Sequence, residues 1–164
     1  MTFVSTDPFS HQSENTWFTP EKIIPPIKFD LDPCTVSFRP FDIAEKNIEY
    51  DTGDCGLKET WSGNVWMNPP YGQEIEPFIN KFINHKKGVA IVFARTGTPW
   101  MQNILRSKFC VFFLRKRVSF ISKDFIKKSN AGADSCFIIF GEENVKAVDT
   151  MGLEGVFINK KLSH

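Results

Sequence analysis

The sequence is poor in the residues from which metal centres and disulfide frameworks are built. Its four cysteines, Cys34, Cys55, Cys110 and Cys136, are scattered without CxxC spacing. Neither a zinc ligand set nor a stapled scaffold is therefore expected, and no metal is implied. Cys110 and Cys136 stand inside apolar runs, where a thiol behaves as a small hydrophobe. Histidine is scarce as well, and His11, His85 and His164 read as surface residues. No apolar run approaches the length of a membrane span, and the first residues carry no apolar targeting segment. The expectation is a reduced, cytoplasmic protein. Repeats and low-complexity tracts are absent, and net charge is nearly absent at +1.

That small net charge hides an asymmetry. Residues 1–60 hold eleven acidic and five basic side chains, whereas residues 81–128 hold twelve Lys or Arg and one acid, Asp124. A block of this kind is either a solvated face or a cationic surface for a polyanion such as nucleic acid. A chain of 164 residues fits one domain with one core. Residues 1–15 are polar and aperiodic and are expected to form a flexible tail, leaving 16–164 as a single domain. The seventeen Phe can fill that core, with some rings left to stack on bases.

Local patterning predicts alternating strands and helices. Lys28–Leu31 reads as a short strand running into Asp32-Pro33-Cys34, and residues 35–60 as loop with short elements. Asn64–Met67 is a strand stopped by two prolines. Ile75, Phe78, Ile79, Phe82 and Ile83 have helical spacing. Gly88–Ala94 is a buried strand, and Thr98 caps a helix with Pro99 at its first position. Phe109–Leu114 is another buried strand, with Val118–Ile121 continuing it or pairing nearby, then a basic loop over 122–134 and a last strong strand over 135–140. This is an α/β sheet with an antiparallel edge. Asp32, Asn68 and Arg95 each follow a predicted strand, so all three fall on the rim where such sheets bind ligands.

Asn68-Pro69-Pro70-Tyr71 carries the chemistry. By composition the tetrapeptide should occur by chance in roughly one chain of this size per two thousand; the bland alternative is a rigid turn. An aromatic amine is a poor nucleophile because its lone pair is delocalised. Two acceptors holding its hydrogens favour a pyramidal nitrogen that can attack a sulfonium methyl. The Asn68 carboxamide oxygen and the Pro69 carbonyl, stiffened by Pro70, supply such preorganised dipoles. Tyr71 offers a flat face to a flipped base, and Gly72 allows close approach. No dedicated general base is required, because the proton can leave after transfer.

With Trp17-Phe18-Thr19-Pro20, Phe29–Cys34, Gly56-Leu57, Trp61, Val65–Gly72, Ala94–Trp100 and Ser135–Gly141 in this order, the chain resembles the phage-type DNA adenine methyltransferase (Dam) family. The resemblance implies a compact Rossmann-like methyltransferase fold, S-adenosylmethionine as donor, adenine in DNA as acceptor, and phage modification against host restriction. Thr19 and Pro20, with Trp17 beside them, match the segment that closes over the donor. Asp32 and Pro33 match the site of its methionine moiety, where a carboxylate suits an ammonium. Asp51 or Asp54 could take the ribose hydroxyls. Arg95 and Thr96 follow a strand on the active rim and, with Trp100, read as contacts to base or phosphate. Lys123, Lys127 and Lys128 could track phosphates.

The chain departs from larger methyltransferases in lacking Gly-x-Gly after the first strand: Cys34 is followed by Thr35, Val36 and Ser37. Only thirty-four residues separate Pro33 from Asn68, too few for two strand–helix units, and no separate target-recognition domain is expected. Specificity then falls to loops such as 122–134. The loop chemistry alone also accommodates cytosine N4 or a protein glutamine amide, and a non-catalytic DNA-binding remnant of the fold is a further reading.

Overall fold

In a computed structural model that describes residues 17–107, 109–124 and 132–160, the chain folds around one mixed sheet. The strands are β1 (Phe29–Thr35), β2 (Ala44–Glu49), β3 (Val65–Met67), β4 (Gly88–Phe93), β5 (Cys110–Leu114), β6 (Ser135–Phe140) and β7 (Gly155–Ile158). They lie in the order β2-β1-β3-β4-β6-β5-β7. The first four are parallel neighbours, and β6 and β7 run antiparallel to the strands beside them. This is the α/β sheet with an antiparallel edge that the patterning predicts, and it agrees with the fold that the resemblance implies. The expected tail, 1–15, lies outside the described residues.

Alternation along the strands separates two cores. Ala90, Val92, Cys136 and Ile138 face helices α1 (Ile75–His85) and α2 (Pro99–Arg106), packing on Phe78, Ile79, Phe82, Met101 and Ile104. Val89, Ile91, Phe137 and Ile139 face the other way, with Trp66 and with Val145 and Val148 of helix α3 (Glu142–Asp149). α2 begins as its sequence predicts: Thr98 is the N-cap, its hydroxyl accepts from the Met101 amide, and Pro99 stands in the first turn.

Four expectations need correction. Asp32 does not follow the first strand but lies within it, because β1 continues through Pro33 to Thr35. The register slips between Asp32 and Thr35, a bulge that accommodates a proline with no amide to donate. The stretch 35–60 contains a full strand, β2, whose sequence hides it because only Ala44 and Ile48 are buried on this sheet edge. The strand at 135–140 is not the last: α3 and the exposed edge strand β7 follow it. His85 is also more than a surface residue, since its Nε2 lies 2.8 Å from the Gly63 carbonyl and its ring meets the edge of Trp61.

The shortened first half has a geometric explanation. Residues 36–43 must return the chain from the end of β1 to the start of β2, a distance of about 20 Å for a strand of this length. Eight helical residues would advance only about 12 Å. The parallel crossover is therefore made without a helix, and the one helical element between β1 and β3 is a turn of 3-10 helix, Tyr50–Thr52, after β2.

Candidate active site

The carboxyl ends of β1, β3, β4 and β5 share one rim, since their parallel or twice-antiparallel pairing aligns them. Asn68 follows β3 directly. Its Nδ2 donates to the Trp17 carbonyl at 2.9 Å and to the Thr19 hydroxyl at 3.2 Å. Two acceptors on the nitrogen fix which way the carboxamide points. The oxygen is thereby turned to Tyr71, whose hydroxyl donates to it at 3.3 Å. Pro69 and Pro70 are buried, and among the described residues no donor reaches the Pro69 carbonyl. The loop backbone is anchored from β1, where the Cys34 thiol donates to the Asn68 carbonyl at 3.4 Å. Gly72 adopts φ 96°, a turn conformation that a side chain would strain.

Beyond the loop, Tyr71, Gly72, Ile75, Phe93, Arg95 and Trp100 line a cleft of about 340 Å³. Tyr71 stacks on Phe93 at 4.2 Å between centroids, and the Arg95 guanidinium lies 5.7 Å from the Phe93 centroid. One face of Tyr71 is thus already covered, which leaves the other for any planar ligand. Trp100 is a core residue with an edge on the cleft, and Thr96 is exposed with its carbonyl taken by Gln102. Lys123 is exposed just past Ile121. Lys127 and Lys128 lie outside the described residues.

On the other side of Asn68 sits Asp32, 3% exposed. Its Oδ1 accepts from the Cys34 amide at 3.2 Å, and among the described residues no lysine or arginine forms an ion pair with it. Burial is the main reason its carboxyl is pushed up to about 7, against smaller lowering by the Cys34 amide, Thr35 and Arg39. Beside it the loop at Gly56 packs directly on the Pro33 carbonyl, where a Cβ would stand 2.0 Å from that oxygen. Trp61 Nε1 and Lys81 Nζ both donate to the Gly56 carbonyl and hold this loop in place. Asp51 is engaged by Ser37, at 2.8 Å to its amide and 2.7 Å to its hydroxyl, while Asp54 is exposed.

Trp17, Thr19 and Pro20 reach the site although they lie far from it in sequence. An isolated two-residue bridge holds them, with Phe18 and Ile121 exchanging both backbone hydrogen bonds at 2.9 Å. The family model described as DNA N-6-adenine-methyltransferase (Dam) matches residues 8–160, nearly the whole chain. The chain belongs to this family. At family level it is therefore a transferase that methylates adenine N6 in DNA. No curated protein and no solved structure matches it. Within this Dam-family chain the sequence singles out Asn68 and Asp32, but nothing in it signals that Trp17 and Thr19 touch the Asn68 carboxamide. Among the described residues no helix is long and apolar enough to cross a membrane.

Proposed function

We propose that the chain transfers a methyl group from S-adenosylmethionine to N6 of adenine in DNA, with Asn68 and the Pro69 carbonyl receiving the hydrogens of the amine. The observation that carries this reading is the orientation of the Asn68 carboxamide. Its nitrogen is engaged by Trp17 and Thr19, so its oxygen is the group presented beside the cleft. The Pro69 carbonyl, which no donor among the described residues reaches, would be the second acceptor. Both dipoles are fixed before an amine arrives, so they stabilise the developing positive charge without reorganising.

The residues around Asp32 suit a cationic donor. A carboxyl buried with no ion-pair partner among the described residues costs free energy unless its partner is a ligand, and the ammonium of the donor's methionine moiety has the matching charge. When bound, S-adenosylmethionine supplies an electrophilic methyl on a sulfonium. Asp32 and Pro33 would hold its methionine end, Trp17, Thr19 and Pro20 would border it, and Asp54 would take the ribose. On the acceptor side, the open face of Tyr71 and the wall made by Trp100 and Phe93 would take the base. Arg95 and Thr96, with Lys123, Lys127 and Lys128, would meet its flanking backbone. Such an enzyme works where DNA is, in the cytoplasm of a bacterial host if phage-encoded.

Incubating the purified chain with methyl-labelled S-adenosylmethionine and DNA, then digesting to nucleosides, tests the proposal. Label in N6-methyl-2′-deoxyadenosine is expected. Label in N4-methyl-2′-deoxycytidine or in protein glutamine selects one of the other planar amines, and no label from folded, donor-binding protein favours the non-catalytic reading.

The Thr19 hydroxyl gives a second test. Thr19→Val keeps the side-chain shape but removes one acceptor from Asn68 Nδ2. About tenfold loss of kcat is expected, the effect of one hydrogen bond of about 1–1.5 kcal/mol. KM for DNA should change little, and Thr19→Ser should restore the rate. Equal loss in both variants sinks the orienting role.

A further inference from the structure

The basic block of residues 81–128 is not one surface. Lys86 and Lys87 precede β4, and Arg106 precedes β5, so all three lie at the amino ends of these strands, away from Asn68. Lys81 is occupied by the carbonyls of Gly56, Leu57 and Glu59. Arg95 and the run Arg115-Lys116-Arg117 instead follow the carboxyl ends of β4 and β5, on the rim that carries Asn68. Along this rim the sign of charge changes across the sheet. Glu49, Asp51 and Asp54 stand at the β2 end, Asn68 lies inside, and the Arg115–Arg117 run stands toward the β7 edge.

Beside that run is a cavity of about 350 Å³, lined by Lys22, Lys116, Arg117, Ser119 and Glu154 among others. The cations of the run are held by exposed carboxylates. Arg115 lies 2.5 Å and Lys116 3.5 Å from Glu154, and Arg117 lies 3.1 Å from Asp134. All five side chains are at least 50% exposed, and such surface pairs are weak and easily exchanged for another anion. Three strand spacings separate β3 from β5, about 14 Å along the sheet. That is close to the roughly 12 Å width of a DNA major groove, so a base drawn to Asn68 leaves its flanking backbone within reach of β5.

Resting on the DNA acceptor proposed above, we infer that Arg115, Lys116 and Arg117, with Lys22 beside them, form the shelf that carries the DNA backbone. Phosphates replace Glu154 and Asp134 as their partners when DNA binds. The donor's cationic end and the polyanionic substrate are thereby directed to opposite halves of one rim, with Asn68 at the boundary.

Salt titration of duplex binding by the full chain tests this. The triple variant Arg115→Gln, Lys116→Gln, Arg117→Gln is expected to flatten the plot of log affinity against log salt by about 0.9 per lost phosphate contact. Its donor binding should be unchanged, and its weakening should be similar across DNA sequences. Lys87→Gln with Arg106→Gln, on the opposite rim, should leave the slope as it is. Glu154→Gln removes the competing carboxylate and should tighten binding severalfold at low salt. If the wild-type chain methylates DNA but the triple variant keeps its slope, the shelf is wrong and the proposed reaction stands. The shelf is equally wrong if the opposite-rim pair changes the slope instead, or if Glu154→Gln weakens binding. A wild-type chain that neither binds nor methylates DNA overturns both readings.

Discussion

Asn68→Ala is expected to lower the rate of methyl transfer by about two to three orders of magnitude, the usual loss when one preorganised group at a charge-developing centre is removed. Asn68 is only partly buried and lies at the end of β3, so truncation should leave the fold intact. Its orienting partners, the Trp17 carbonyl and the Thr19 hydroxyl, would simply be hydrated. Donor affinity should fall little, because Asp32 is untouched. Asn68→Asp is the sharper probe. It keeps an acceptor facing the amine but sets a carboxylate oxygen against the Trp17 carbonyl, where Nδ2 now donates at 2.9 Å. A single-turnover assay should place it between the wild type and Asn68→Ala. A near-normal rate for Asn68→Ala, with melting temperature unchanged, would remove the carboxamide from the mechanism.

Asp32→Asn should produce two effects of opposite sign. An unfolded aspartate titrates near 4, whereas the buried one is pushed up to about 7. Between these values the folded state holds the extra proton. The stability contributed by Asp32 is thus fully present below about 4 and is lost as pH rises through about 7. Asparagine carries no such dependence, so Asp32→Asn should melt higher than the wild type at pH 8. Donor binding should move the other way. The ammonium favours the ionised carboxyl, so wild-type affinity for S-adenosylmethionine should rise by up to about tenfold per pH unit toward 7 and then level off. Asp32→Asn should lose this dependence. At pH 8 it should bind about ten- to a hundredfold more weakly, matching a charged hydrogen bond of about 1.5–3 kcal/mol. Calorimetric titration across pH, with thermal melts of the free protein, measures both. Donor affinity that is flat with pH in the wild type would separate Asp32 from the donor.

The features legible in the sequence are those that local residues determine alone. The apolar strands β3 and β4, the Thr98-Pro99 cap and the helical stripe of α1 all announce themselves within about a dozen residues. β2 does not, because an edge strand buries few of its side chains. α3 is hidden for a different reason. One of its buried residues is Asn144, whose carboxamide exchanges hydrogen bonds with Asn64 at 2.7 and 2.9 Å, eighty positions earlier. Pro33 conceals that β1 continues, since proline ordinarily ends such a pattern. The same holds at the site. Asn68 is conspicuous as part of a rare tetrapeptide, whereas its contacts to Trp17 and Thr19 span about fifty residues and leave no local trace. Arg115–Arg117 could have been found. They follow a predicted strand just as Arg95 does, but counting charge over a long segment hides which end of a strand each residue occupies.

The bridge between Phe18 and Ile121 bears on when this chain becomes competent during its own synthesis. A ribosome delivers the chain from its amino end, and early segments can begin to fold as they emerge. Asn68 emerges long before Ile121, and the Trp17–Thr19 segment emerges earlier still. That segment gains its backbone partner only once Ile121 is out; until then its ties are the Phe18–Phe41 ring contact and the Asn68 hydrogen bonds themselves. The carboxamide's orienting segment is therefore less firmly held in the nascent chain. A chain truncated before Ile121 should therefore present its Asn68 carboxamide less firmly than the full chain.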